Sequence, residues 1–95
     1  MPIFVLMCLD KPGALALRMA NREAHLAFVA RRRGEVRLAG PLLNDEGDMS
    51  GSLLIIEADD LAAARAFNAA DPYQAAGLFE RVEIRSFRQS IPPPP

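Results

Sequence analysis

Apolar and polar positions follow two rhythms along this chain. Residues 3–9 form a continuous apolar run of strand length, bounded by Asp10-Lys11-Pro12-Gly13, whose proline and glycine mark a turn. A first strand is expected there. Residues 14–33 are rich in Ala, Leu, Arg and Glu with no glycine or proline, which predicts a helix. Helical spacing puts Leu15, Met19, Leu26, Val29 and Ala30 on its inward face, and Gly34 follows as a C-cap. Val36–Leu43 predicts a second strand, and Gly40-Pro41 inside it confines that strand to a sheet edge.

The polar, glycine-bearing residues 44–51 predict a hairpin-like loop into a third strand over residues 52–58. Asp59 or Asp60 then caps a helix over Leu61–Ala70, with Leu61, Ala64 and Phe67 turned inward. Asp71-Pro72-Tyr73-Gln74 has aspartate at a cap, proline at the first helical position and glutamine at the third, so a short helix should run to about Gly77. Phe79–Phe87 alternates, with Val82 and Ile84 facing one way and Arg81, Glu83 and Arg85 the other, as a half-buried strand does.

The order β-α-β-β-α-β defines an α+β chain of the ferredoxin-like type: two split βαβ units, a four-stranded antiparallel sheet, and both helices on one face. Strands one and three then lie centrally. Residues 3–9 and 53–56 are apolar on both faces, whereas the helices can cover only one. A homodimer packed sheet against sheet is therefore expected. Even about 500 Å² of open apolar surface is worth roughly 12 kcal/mol at about 25 cal/mol per Å², before association costs.

Ninety-five residues suit one domain, taken here as residues 1–88. Residues 89–95 end in Ile91-Pro92-Pro93-Pro94-Pro95 and predict a flexible, extended tail. A net charge of -1 argues against nucleic-acid binding, which needs a basic surface to displace counterions. One cysteine and one histidine make neither an internal disulfide nor a zinc cluster, so no metal is expected and a reducing cytoplasm is the natural compartment. The first apolar run is too short to span a membrane and lacks a basic leader.

The candidate chemistry centres on the single histidine. At 100° per residue, Arg18, Arg22, His25 and Val29 fall within about 60° of the helix circumference. One reading is a cleft rim where the arginines hold an anion and disfavour charge on the imidazole, leaving it able to take a proton. The same spacing suits a solvated flank whose long side chains cover apolar surface. Asp71 is explained by capping alone, though its second oxygen is free to accept an imidazole N–H. Tyr73 offers a hydroxyl to a ligand or a ring to the helix. Ser52 offers a hydroxyl at a strand mouth, but no nucleophile elbow accompanies it, which excludes a serine hydrolase. Asp10 is a turn former or a cleft acid, and Cys8 an inert core thiol.

The segments Asp10-Lys11 with Leu15, Arg18, Arg22 and His25-Leu26, then Ala39-Gly40-Pro41, Gly51-Ser52, and Ala70-Asp71-Pro72-Tyr73 with Ala76-Gly77, closely resemble the YciI-like (YCII-related) family, in order from about residue 3 to residue 87. The resemblance implies a ferredoxin-like fold of the dimeric α/β-barrel type. It implies His25 as an acid/base, Asp71 as its orienting carboxylate, and Arg18, Arg22, Ser52, Tyr73 and Asp10 lining the pocket. One relative is a dehydrochlorinase acting on a chlorinated hydroxyquinol. The implied activity is thus a cofactor-free elimination or isomerisation on a small, acidic, ring-like or enolisable compound. The alternative is a non-catalytic small-anion-binding or protein-interaction dimer.

Overall fold

The computed structural model describes all 95 residues. In chain order it forms β1 (Ile3–Asp10), α1 (Leu15–Arg31), β2 (Val36–Leu43), β3 (Met49–Glu57), α2 (Leu61–Ala70), α3 (Pro72–Ala75) and β4 (Phe79–Phe87). The strands make one antiparallel sheet in the order β2-β3-β1-β4, with β1 and β3 in the centre and β2 at an edge, as its proline requires. None of the helices is long and apolar enough to cross a membrane.

Strand alternation sorts the sheet into two faces. Phe4, Leu6 and Cys8 on β1 and Leu54 and Ile56 on β3 point toward the helices and are buried, where they meet Phe28 of α1 and Ala64 and Phe67 of α2. Each such side chain contributes about 1.5–3 kcal/mol when fully buried. The odd-numbered positions of β1 form the opposite face, where Met7 and Leu9 are exposed.

The third strand starts earlier than the sequence suggests. Met49 pairs with Leu43, and Gly51 pairs with both Leu42 and Leu9, so the loop expected over residues 44–51 shrinks to a tight turn. In that turn Asn44 Oδ1 accepts from the amides of Glu46 and Asp48, and Gly47 adopts φ 85°. Gly51 belongs to the strand because neighbouring backbone approaches it closely: a Cβ there would lie 2.6 Å from the Cys8 carbonyl oxygen.

Helix α1 departs from expectation in two ways. It stops at Arg31 with Arg32 as the C-cap, and Gly34 is not left-handed, because the amides of Arg32 and Arg33 already engage the last-turn carbonyls of Phe28, Val29 and Ala30. It also buries a different face. Arg18, His25 and Phe28 point inward, whereas Leu15, Met19 and Leu26 are exposed and Ala30 lies outside the core. Hydrophobic periodicity ranks arginine and histidine as outward residues, but Arg18 meets Asp10 at the end of β1 and His25 meets Asp71 at the start of α3, and these carboxylates make burial tolerable. Leu61 of α2 likewise proves exposed, at the first turn beside the Asp60 cap, while Ala64 and Phe67 are buried.

Candidate active site

The site is assembled on a short helix fixed at both ends. Asp71 is the N-cap of α3, its Oδ1 accepting from the Tyr73 amide at 2.9 Å, and Pro72 occupies the first turn. At the other end Gly77 turns left-handed at φ 73°, its amide reaching the Gln74 carbonyl while the Leu78 amide reaches that of Tyr73. This is the Schellman arrangement. It locks Asp71 and Tyr73, both 2% exposed or less, onto one rigid piece.

His25 projects from α1 onto that piece. Its Nδ1 lies 2.9 Å from Asp71 Oδ1, the same oxygen that caps α3, rather than from a second oxygen left over from the cap. An ionised carboxylate only accepts, so Nδ1 carries the hydrogen and Nε2 of a neutral ring holds the lone pair. Every buried side-chain N and O has a partner, and Nε2 has none in the protein, so it opens to solvent. The ring also lies nearly flat on Tyr73, with centroids 4.1 Å apart and planes 14° apart.

Arg18, two turns earlier on α1, places its guanidinium 4.5 Å from the Tyr73 ring centroid. Because the imidazole occupies one face of that ring, the guanidinium takes the other. Arg18 is also held by Asp10 through two hydrogen bonds, Nε to Oδ2 at 2.7 Å and Nη2 to Oδ1 at 3.0 Å, and its Nη2 donates to Ser52 Oγ at 2.8 Å. Both charged side chains are at most 5% exposed. Burial opposes the Arg18 charge, but the bonds and charge of Asp10 outweigh it and raise its pKa. Burial pushes the Tyr73 phenol up against the pull of Arg18 and Arg22, so its hydroxyl keeps its proton at neutral pH. Cys8 is pushed up to about 12, by burial first and by the negative charge of Asp71 next, which makes it an inert thiol.

A cavity of about 130 Å³ lies over these groups. Arg22, His25 and Leu26 of α1 form one wall, and Ala39, Gly40 and Pro41 of β2 form the other. Arg18, Ser52 and Tyr73 also line it. The structure thus brings six of the seven candidate residues into one buried network. Arg22, the seventh, stands exposed at the rim, and Asp10 serves Arg18 from behind without lining the cavity. Six lining residues are not among the candidates: Leu26, Val29, Ala39, Gly40 and Pro41, expected as helix or edge-strand residues, and Met49, which falls in the segment read as loop. A wider hollow of about 340 Å³ between the β1–α1 and β2–β3 turns is lined by Lys11, Gly13, Asn44 and Asp48 and lacks the imidazole. No group of three or more His, Cys, Asp or Glu side chains gathers where it could hold a metal ion.

The fold and its helix-covered pocket define the class: small α+β proteins built on a ferredoxin-like antiparallel sheet. SnoaB from Streptomyces nogalater, a cofactor-independent oxygenase, shares this fold with a TM-score of 0.62 at 20% identity, over 96% of this chain and 97% of the other. Within that class the chain belongs to the family of the YCII-related domain, whose model matches residues 3–88. It is 39% identical to Protein YciI of Escherichia coli O6:H1 over 95 residues, 92% of this chain and 97% of that one. It is 35% identical to an uncharacterised protein of Haemophilus influenzae over 94 residues, 90% of this chain and 96% of the other. Among solved structures it is similar to TftG from Burkholderia phenoliruptrix AC1100, a 5-chloro-2-hydroxyhydroquinone dehydrochlorinase in complex with 2,5-dihydroxybenzoquinone. The TM-score is 0.87 and the identity 31%, covering 97% of this chain and 99% of that one.

Proposed function

We propose that this chain is a small-molecule enzyme that needs no cofactor and uses His25 as a general acid/base oriented by Asp71. The observation that carries the reading is the buried 2.9 Å contact between Nδ1 and Asp71, which leaves Nε2 facing a cavity of ring size. An enclosed cavity of about 150 Å³ admits benzene, and this one, at about 130 Å³, is open at its mouth, so a substituted ring can sit partly outside it. The reaction is an elimination or isomerisation of lyase, isomerase or dehydrochlorinase type on a small acidic, ring-like or enolisable compound, in keeping with the likeness to TftG. In an elimination from the keto tautomer of a chlorinated hydroxyquinol, whose chlorine-bearing ring carbon is tetrahedral, Nε2 takes the proton of a remaining ring hydroxyl, the O–H electrons form a carbonyl, the ring double bond shifts, and chloride leaves with the C–Cl pair. Arg18, Arg22, Ser52, Tyr73 and Asp10 shape the site around that step.

The working unit is a homodimer closed through the open sheet face. Met7, Leu9, Leu38 and Phe87 are between 38% and 54% exposed there, more apolar surface than one sheet face leaves bare without a partner. Light scattering at micromolar concentration should give twice the chain mass, and a monomer mass refutes the dimer.

The decisive experiment is chloride release from 5-chloro-2-hydroxyhydroquinone by the wild type and by His25→Ala. Turnover by the wild type with a loss of about 10²–10⁴ in a folded His25→Ala supports the acid/base role. Equal rates in the two proteins refute it.

A further inference from the structure

The two arginines of the site do not carry the same electrostatic duty. Arg18 has its positive charge cancelled at contact distance by Asp10, and three of its possible donor contacts are already spent on Asp10 and Ser52. Arg22, one turn further along α1, forms no ion pair or side-chain hydrogen bond, yet lines the cavity mouth and acts on the Tyr73 phenol. Beneath the mouth, Ser52 Oγ accepts from Arg18, which leaves its own hydroxyl hydrogen free to donate.

The charges of the site can be summed from these contacts. Asp10 and Arg18 cancel, and Asp71 with a neutral His25 carries one negative charge that Arg22 balances from the rim. When the imidazole takes a proton the site becomes positive by one. A ligand that has just given up that proton supplies the matching negative charge; Arg18 also lines the cavity, but Arg22 is the guanidinium there that no carboxylate neutralises.

We propose that Arg22, and not Arg18, is the specificity-determining residue of this pocket, selecting single-ring oxyanions over neutral rings of the same shape. This deepens the acid/base reading and rests on it for the identity of the cavity as the ligand site. Arg18 is a positioning residue, holding the Tyr73 ring against His25 from the far face. Size selection follows from the cavity volume, and charge selection from Arg22, whose charge no carboxylate of the site pairs with at contact distance.

The test is equilibrium binding of two rings with the same heavy atoms to the full chain: 2,5-dihydroxybenzoquinone, a vinylogous acid that is anionic at neutral pH, and its reduced form 1,2,4,5-tetrahydroxybenzene, which is neutral and is kept under anaerobic conditions. The wild type should prefer the anionic ring by at least about tenfold. Arg22→Gln should erase most of that preference, and Arg22→Lys should restore part of it. Raising salt from about 0.05 to about 0.5 M should weaken anion binding to the wild type but not to Arg22→Gln, because an exposed guanidinium is screened. Arg22→Gln lies on an exposed side chain and leaves the core intact, so a folding failure would not mimic the result. The proposal is overturned if Arg22→Gln keeps the wild-type preference within twofold, or if the wild type shows none. Either result leaves the His25–Asp71 pair to be judged separately by its own ring chemistry, and failure of that pair leaves an Arg22 preference standing.

Discussion

Asp71 holds His25 and caps α3 through a single oxygen: Oδ1 lies 2.9 Å from the imidazole Nδ1 and 2.9 Å from the Tyr73 amide nitrogen. Capping by Asp71 therefore does not exclude its contact with the imidazole. Asp71→Asn keeps that oxygen and removes its charge. The amide oxygen can still serve the Tyr73 amide, so stability should fall by no more than about 1 kcal/mol in urea unfolding. It accepts from Nδ1–H as a weaker, neutral partner, so ring ¹⁵N shifts of His25 should move toward a mixture of tautomers. Unchanged ring shifts would show that Asp71 does not set the tautomer.

Tyr73 acts as a spacer between an imidazole and a guanidinium, so its ring matters more to the fold than its hydroxyl. Tyr73→Phe should unfold within about 0.5 kcal/mol of the wild type, since both stacked faces persist. Tyr73→Leu should cost about 2–4 kcal/mol through lost volume and lost stacking. Urea midpoints for the pair decide the matter, and equal losses would contradict a role based on the ring.

The buried Asp10–Arg18 pair should behave asymmetrically under mutation. Asp10→Ala leaves a guanidinium unpaired under α1 and should cost about 3–5 kcal/mol. The double variant Asp10→Leu with Arg18→Met removes both charges and should be more stable than Asp10→Ala, although it loses the cation over Tyr73. A double-mutant cycle of Asp10→Leu, Arg18→Met and the double variant by chemical denaturation measures the coupling, and additive losses would mean that the two side chains do not interact.

Cys8 gives the fold an alkaline limit. Its thiol ionises near the ordinary value of 9.0 when the chain is unfolded but at about 12 when folded. Between these values the unfolded chain has released a proton that the folded chain still holds, so stability is intact below about pH 9 and declines above it by at most about 1.4 kcal/mol per pH unit. Tyr73, also raised by burial, acts in the same direction at higher pH. Cys8→Ala should flatten the fall between pH 9 and 10.5 in thermal or urea melts, and an unchanged slope would locate the alkaline limit elsewhere.

The strands could be read from the chain because alternation reports directly on a sheet with one covered face. Val82 and Ile84 against Arg81, Glu83 and Arg85 is such a pattern, and β4 runs over Phe79–Phe87 as expected. The inward face of α1 could not be read the same way. Its buried residues are Arg18, His25 and Phe28, and what makes the first two buriable is Asp10 eight residues before Arg18 and Asp71 forty-six residues after His25. Such partners leave no local trace in hydropathy. The apolar stripe of Leu15, Met19 and Leu26 was the more visible signal and faces outward. The candidate residues themselves were legible as chemistry, through the lone histidine and the Asp-Pro-Tyr step. The division between Arg18 and Arg22 was not, since one helical turn decides which guanidinium meets a carboxylate.

Helix α3 carries both the carboxylate and the aromatic ring that hold His25, whereas the opposite cavity wall comes from the edge strand β2. The halves are joined through the sheet, where Pro41 pairs with Ser52, the acceptor of an Arg18 hydrogen bond. Exchanges at the exposed Ala39 can still reshape what the cavity admits without replacing any residue of the imidazole network, so a lineage can explore new ligands on one wall without risking the machinery on the other.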